Sequence, residues 1–216
     1  MKHRPPVLFV STLLAIFVGL ASPSRAEERV LLAHDFAEKP VAPWIFPHGF
    51  WKVEAGGLRG TENPAENHGA SVKGFASFRD GTFGYDVRFD GGRVHTLGIN
   101  QPRAHLFHID FKPAELLIVK NPIEAGGSDK VEVLARAKLA LEQGRWYALR
   151  VEIKGETVAV QIGDVKLSAA HANLSRDESV QVTFTAKKGS SIRHATEIQV
   201  GNLPTANAPG ARKPGR

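Results

Sequence analysis

The sequence predicts an all-β fold, an antiparallel β-sandwich, on three observations. About a dozen short segments alternate apolar and polar residues along the chain. Clusters of Gly, Pro, Asn and Asp separate them at short intervals. No stretch carries the sustained apolar period of a long amphipathic helix. A strand projects successive side chains to opposite faces, so each alternating segment has one face for a core and one for solvent. Such strands need a second layer to cover their apolar side.

The clearest segment is Gly144 to Gly163, GRWYALRVEIKGETVAVQIG. Tyr147, Leu149, Val151 and Ile153 alternate with Trp146, Ala148, Arg150, Glu152 and Lys154. A turn at Lys154-Gly155 follows, and Val158, Val160 and Ile162 repeat the pattern. A hairpin is marginal alone in water, so the rest of the chain has to supply its partner layer.

The other elements follow in order. Val30 to Phe36 reads as a strand, and the Pro-containing stretch Glu38 to Pro47 as an irregular connection. Phe50 to Gly60 reads as two short strands around Gly56-Gly57. Thr61 to Gly69 is a polar loop, and Ala70 to Phe78 a strand. In Thr82 to Asp90, Phe83, Tyr85, Val87 and Phe89 share a face. Arg93 to Asn100, His105 to Lys112 and Glu115 to Asn121 continue the series. Val131 to Leu141 has helix-forming composition but sits among strands, and strand is the expectation. Leu167 to Leu174 reads as a connection or helical turn. Val180 to Ala186 and Ile192 to Gly201 close the domain.

The N-terminus has a basic start at Lys2 and Arg4, an apolar run Val7 to Leu20 and a small-residue exit at Ser24-Arg25-Ala26. This is the pattern of a cleaved secretory signal, residues 1–26, in a bacterial secreted or periplasmic protein. The apolar run is too short for an ordinary membrane span. The β-sandwich domain is expected over residues 27–201, followed by a disordered basic tail, 202–216. The chain has no Cys, which excludes disulfides, thiolate metal sites and a Cys nucleophile.

The net charge of +6 lies at the two ends. Lys2, Arg4 and Arg25, and then Arg212, Lys213 and Arg216, are unopposed by acids within their segments. Residues 27–200 are therefore neutral overall, which argues against a nucleic-acid partner.

FWKVEAGGLRG, FGYDVRFDGG, LFHIDF, GRWYALRVEIKGETVAVQI and a closing EIQVGN segment, in that order, resemble the concanavalin A-like jelly roll. Within it they resemble secreted bacterial domains of the 3-keto-disaccharide hydrolase type. The matching positions are Trp51, Val53, Gly56 or Gly57 and Leu58, then Gly144, Trp146, Tyr147, Arg150, Val151, Glu152 and Gly155. The resemblance spans roughly residues 30 to 200. It implies a carbohydrate or glycoside ligand and a hydrolase or lyase acting on a 3-keto-glycoside. The family's N-S-G segment is replaced here by Gly98-Ile99-Asn100, and its second-arm Asn-Gly by Gly163-Asp164. The E-x-D-x-x-E strand of laminarinase-type glycosidases is absent.

The polar strand faces supply the candidate site. Asp86, Arg88, Asn100, His108, Asp110, Arg150 and Glu152, with Trp146 at the edge, are expected on one sheet surface. Charged and amide groups bind hydroxyls, and an aromatic ring stacks on a pyranose. Glu152, Asp110 and His108 are the catalytic candidates, because two ionisable groups flanking one bond can do acid–base work. Arg150, Arg88, Asp86, Asn100, Trp146 and Trp44 are the substrate-binding candidates, Trp44 as an exposed aromatic. A plain solvated face with cross-strand ion pairs accounts for any one of these residues equally well. His108 and Asp110 share a face and make only two metal ligands, so neither metal nor cofactor is expected. His95 shares its face with Leu97 and Ile99 and reads as a core or rim histidine. The rival to an enzyme is a non-catalytic domain that binds a carbohydrate, a surface polymer or a scaffold partner. Oligomeric state is not legible.

Overall fold

Alternation becomes strand almost wherever the sequence carries it. The computed structural model describes residues 29–199, apart from 40–41, 55, 77, 79, 102–103, 123–127, 175–179 and 188–189. The expected signal segment and basic tail lie outside the described residues, as does the end of the domain at 200–201.

The first strands are β1 (Arg29–His34), β2 (Ile45–His48), β3 (Phe50–Glu54), β4 (Gly57–Thr61) and β5 (Ala70–Ala76). The long central strands are β6 (Gly81–Phe89), β7 (Val94–Gln101), β8 (Ala104–Lys112) and β9 (Glu115–Lys120). β10 (Glu132–Lys138), β11 (Trp146–Lys154), β12 (Thr157–Ile162) and β13 (Val165–Ala170) follow. A single 3-10 turn, Ala172–Leu174, precedes β14 (Val180–Lys187) and β15 (Ser190–Gln199).

Two expectations change. Leu167 to Leu174 is expected as a connection or helical turn; the helical turn is present only at Ala172–Leu174, and Val165–Ala170 is a strand paired throughout with β12. Gly163-Asp164 makes a tight turn there, with Gly163 at φ 54°. The Pro-rich connection holds β2, which pairs only with β5 and so lies at a sheet edge. Pro47 is tolerated there because an edge strand need not donate every N–H.

The strands form two antiparallel sheets. The eight-stranded sheet runs β13-β12-β11-β6-β15-β4-β3, with β1 also paired to β15. The seven-stranded sheet runs β10-β9-β8-β7-β14-β5-β2. Phe83, Tyr85, Val87, Leu149, Val151, Val158 and Val160 of the first meet Leu97, Ile99, Phe107, Ile109, Phe111 and Ile118 of the second in one buried cluster. Each such side chain contributes roughly 1.5–3 kcal/mol by leaving water.

The core has polar members. His95 is fully buried, and its Nε2 lies 3.0 Å from the Tyr85 hydroxyl. Burial pulls the His95 pKa down to about 3 and pushes that of Tyr85 up. Lys120 shares the inward side of β9 and is held by Asp129, which also accepts from Asn173 Nδ2 at 3.4 Å. This clasp ties the loop after β9 to the 3-10 turn.

Two glycines fix close approaches near the start of the domain. Gly49 has φ +76°, and a Cβ there would lie 2.4 Å from Ala70 Cβ. It stands where the chain passes from β2 in one sheet to β3 in the other, and its N–H donates to Glu66 Oε2 at 2.7 Å. At Gly60 the Trp51 ring fills the space of a side chain, 2.7 Å from a built Cβ.

Candidate functional site

The inward side chains of both sheets meet in one core, so their polar faces lie on opposite sides of the molecule. Asp86, Arg88, Trp146, Arg150 and Glu152 belong to β6 and β11 in the eight-stranded sheet. Asn100, His108 and Asp110 belong to β7 and β8 in the seven-stranded sheet. The expected single surface is therefore two surfaces. Asp110 alternates with buried Ile109 and Phe111, and Glu152 with buried Val151 and Ile153. The two carboxylates point away from each other across sheets that pack roughly 10 Å apart. They cannot flank one bond.

The eight-stranded sheet has an open outer face. Ala148, Arg150, Glu152, Ala159 and Gln161 are all exposed. The small side chains Ala159 and Ser168, set among Arg150, Glu152, Gln161 and Lys166, leave a depression of about 330 Å³. Arg88 Cζ lies 4.7 Å from the centre of the Trp146 ring and covers one of its faces. Arg88 Nε is also 2.8 Å from Asp90 Oδ1, although its N–H is not aimed for a hydrogen bond. Trp44, expected as an exposed aromatic, is only 6% exposed and packs edge-on against Phe36 at 5.4 Å. It is a core residue because the strand it precedes turns it inward over the sandwich edge.

The seven-stranded sheet differs. Its outward residues Thr96, His108, Asp110, Lys112 and Asn121 are half-buried. Leu117 and Val119 also point outward, since they pair with Asp110 and His108, yet they are 6% and 3% exposed. These covered apolar side chains form a floor beneath the polar groups of this face.

A polar chain runs beside that floor. Thr96 Oγ1 donates to Asp110 Oδ1 at 2.7 Å. Asp110 Oδ2 lies 3.9 Å from His108 Nε2. Asn121 Nδ2 is 3.1 Å from His108 Nδ1. An amide N–H donating to Nδ1 leaves the proton of the neutral ring on Nε2, facing Asp110. Further along, His105 Nδ1 is 2.7 Å from Asn100 Oδ1. At the other end Glu115 binds Lys112 Nζ at 2.9 Å and lies 3.2 Å from Arg136 Nε. These cations, Lys112 first, lower the pKa of Glu115. Among the described residues no group of three or more His, Asp or Glu is placed to hold a metal ion.

Of the expected site, the structure keeps His108, Asp110 and Asn100 together. It adds Thr96 and Asn121, which come together only through strand register. Leu117 and Val119 were also missed, although the unbroken run Leu116 to Val119 is the signal of a strand covered on both faces.

No model of a known protein family matches the chain, and no curated protein matches it. Solved structures do. The carbohydrate binding module CBM66 from Bacillus subtilis aligns at 16% identity and TM-score 0.57, over 71% of this chain and 94% of that one. A β-glucanase from Bacillus licheniformis aligns at 8% identity and TM-score 0.57, over 78% and 97%. Porphyranase B from Zobellia galactanivorans aligns at 10% identity and TM-score 0.58, over 84% and 98%. The fold is thus an antiparallel, concanavalin A-like jelly-roll β-sandwich. Among the described residues no helix is long and apolar enough to cross a membrane.

Proposed function

We propose that this protein binds carbohydrate on the outer face of its seven-stranded sheet. The observation that carries the proposal is the polar chain Thr96–Asp110–His108–Asn121, half-buried over covered Leu117 and Val119. Hydroxyls need fixed donors and acceptors, and this surface offers them side by side. Similarly folded proteins, a carbohydrate binding module, a β-glucanase and a porphyranase, support the same class of ligand. A secreted or periplasmic location belongs to the proposal and rests on the signal-like segment Met1 to Ala26.

Titration calorimetry of the purified protein against gluco-, galacto- and uronate oligosaccharides tests it. His108→Ala and Asn121→Ala are expected to weaken binding about tenfold or more, the cost of removing a fixed polar contact. Arg150→Ala, on the opposite face, is expected to leave binding unchanged. The reverse pattern would move the site to the other sheet.

A catalytic second reading, on 3-keto-glycosides, is favoured by one observation, the approach of His108 to Asp110. A ketone at C3 acidifies the neighbouring C–H, so one base on this face suffices to start elimination of the aglycone. Asp110 is the candidate base, oriented by Thr96, and His108 Nε2–H is a candidate acid. Glu152 has no part in this scheme. Incubation with a 3-keto-glucoside is expected to release the aglycone and a 2-hydroxy-3-keto-glucal, which takes up water at C1 to give 3-keto-glucose, and to lose that release in Asp110→Asn. Absence of release from the parent leaves the protein a binding domain.

A further inference from the structure

The ligand-bearing face continues past the polar chain, and register shows how far. Cross-strand pairing aligns His108 with Gly98, Gly98 with Thr183, and Thr183 with Lys73. The next line aligns His105 with Asn100, Asn100 with Gln181, and Gln181 with Phe75. Lys73 and Phe75 therefore stand on the same outer face as His108, three strands away. At about 4.8 Å per strand the separation is roughly 14 Å. No single sugar ring touches both ends, whereas an oligosaccharide does. Gly98, next to His108 on this line, has no side chain.

Two features of β5 indicate what lies there. Phe75 is 47% exposed on a face where Thr96, His108, Asp110 and Lys112 are half-buried. Ile45 of the edge strand β2 pairs with Lys73 and is also exposed, so the apolar surface extends beside the lysine. Lys73 is half-buried. Two other cations of this face, Lys112 and Arg136, are held by Glu115. Among the described residues no carboxylate pairs with Lys73 and no hydrogen bond engages it. A lysine whose stem is half-buried is held in place, and with no carboxylate bound to it its ammonium is open to an anionic group of a ligand.

We infer that Phe75 and Lys73 form a remote subsite for an acidic sugar unit, and that the ligand is an anionic oligosaccharide lying across the strands from β8 to β5. The inference rests on the carbohydrate reading of this face. The Phe75 ring stacks on the unit, and Lys73 meets its carboxylate or sulfate.

Titration calorimetry of the purified protein tests it with neutral gluco-, uronate and sulfated galacto-oligosaccharides, each as disaccharide and hexasaccharide. Lys73→Gln is expected to weaken acidic hexasaccharides about tenfold and to leave neutral ones unchanged. Whichever acidic series loses more in Lys73→Gln identifies the anionic group as carboxylate or sulfate. Phe75→Ala is expected to weaken hexasaccharides about tenfold while disaccharides, which fit at His108, keep their affinity. Phe75→Trp, which preserves a ring, is expected to bind as the parent does, which separates stacking from any loss of folding. His108→Ala is expected to weaken every oligomer. If it does so while Lys73→Gln and Phe75→Ala bind every oligomer like the parent, the subsite is overturned and the carbohydrate reading stands. If the parent binds no oligomer, both are overturned.

Discussion

The two outer faces of this sandwich are built from the same alternation and end in different states. On β11 and β12 every outward residue from Ala148 to Gln161 is exposed, and the strands read as inside and outside in strict turn. On β9 the outward Leu117 and Val119 are as hidden as the inward Leu116 and Ile118. Arg150, Glu152 and Lys154 on the first face stand in water, where an ion pair contributes little. Those on the second are half-buried and linked by hydrogen bonds, where removing one partner costs more. A polar residue on a strand thus acquires a site's chemistry from what surrounds its face.

The comparison can be tested at several strengths. The largest effect is expected from the core beneath the seven-stranded sheet. His95 has its pKa lowered to about 3 by burial, against 6.5 for the free side chain. The unfolded chain takes up a proton below pH 6.5 and the folded chain does not. Stability is therefore full above that pH and falls as pH drops towards 3, by on the order of 5 kcal/mol in all. Urea midpoints from pH 7 to 5 should show the onset, and His95→Leu should flatten it. An unchanged slope in that variant rules out His95 as the cause.

Gly49→Ala comes next. The left-handed φ and the 2.4 Å contact with Ala70 lead us to expect a loss of about 3 kcal/mol or more. Both sheets should melt together, because Gly49 joins them. Separate transitions would show that the two faces are independent units.

A smaller change, about 1–2 kcal/mol of binding and little stability, is expected for Asn121→Ala, since His108 loses the partner at Nδ1. The pH profile of binding should shift with it. Unaltered affinity and profile would mean that the chain of contacts around His108 has no role in recognition. Glu152→Ala should have the least effect, with binding and melting temperature both within error of the parent. A clear loss of binding there would reverse the ranking of the two faces.

Most of the fold could be read from the sequence because period two in β6, β8, β11 and β12 is set by local sterics and burial. β13 was hidden because its Ala-rich sequence alternates weakly and Gly163-Asp164 was not taken as a hairpin turn. The site was legible only in part. Period two places His108 and Asp110 on one face, and they are 3.9 Å apart. It cannot say which of two sheets a strand joins, so Glu152 was set beside Asp110 when a hydrophobic core divides them. Trp44 was misplaced for a related reason. Proline-rich surroundings suggest a surface loop, whereas the ring is covered by contact with Phe36 and the core. Thr96 and Asn121 join the site through cross-strand and loop contacts that no local pattern encodes.

The positions of the three tryptophans give this protein an optical property. Trp44 is interior, Trp51 lies over Gly60, and Trp146 sits under Arg88 on the eight-stranded sheet. None stands on the outer face of the seven-stranded sheet. A sugar that settles over His108 should leave the intrinsic emission spectrum where it was, so a fluorescence screen would score a true ligand as silent. A blue shift or quench on adding a glycan would instead report contact at Trp146, on the far side of the molecule.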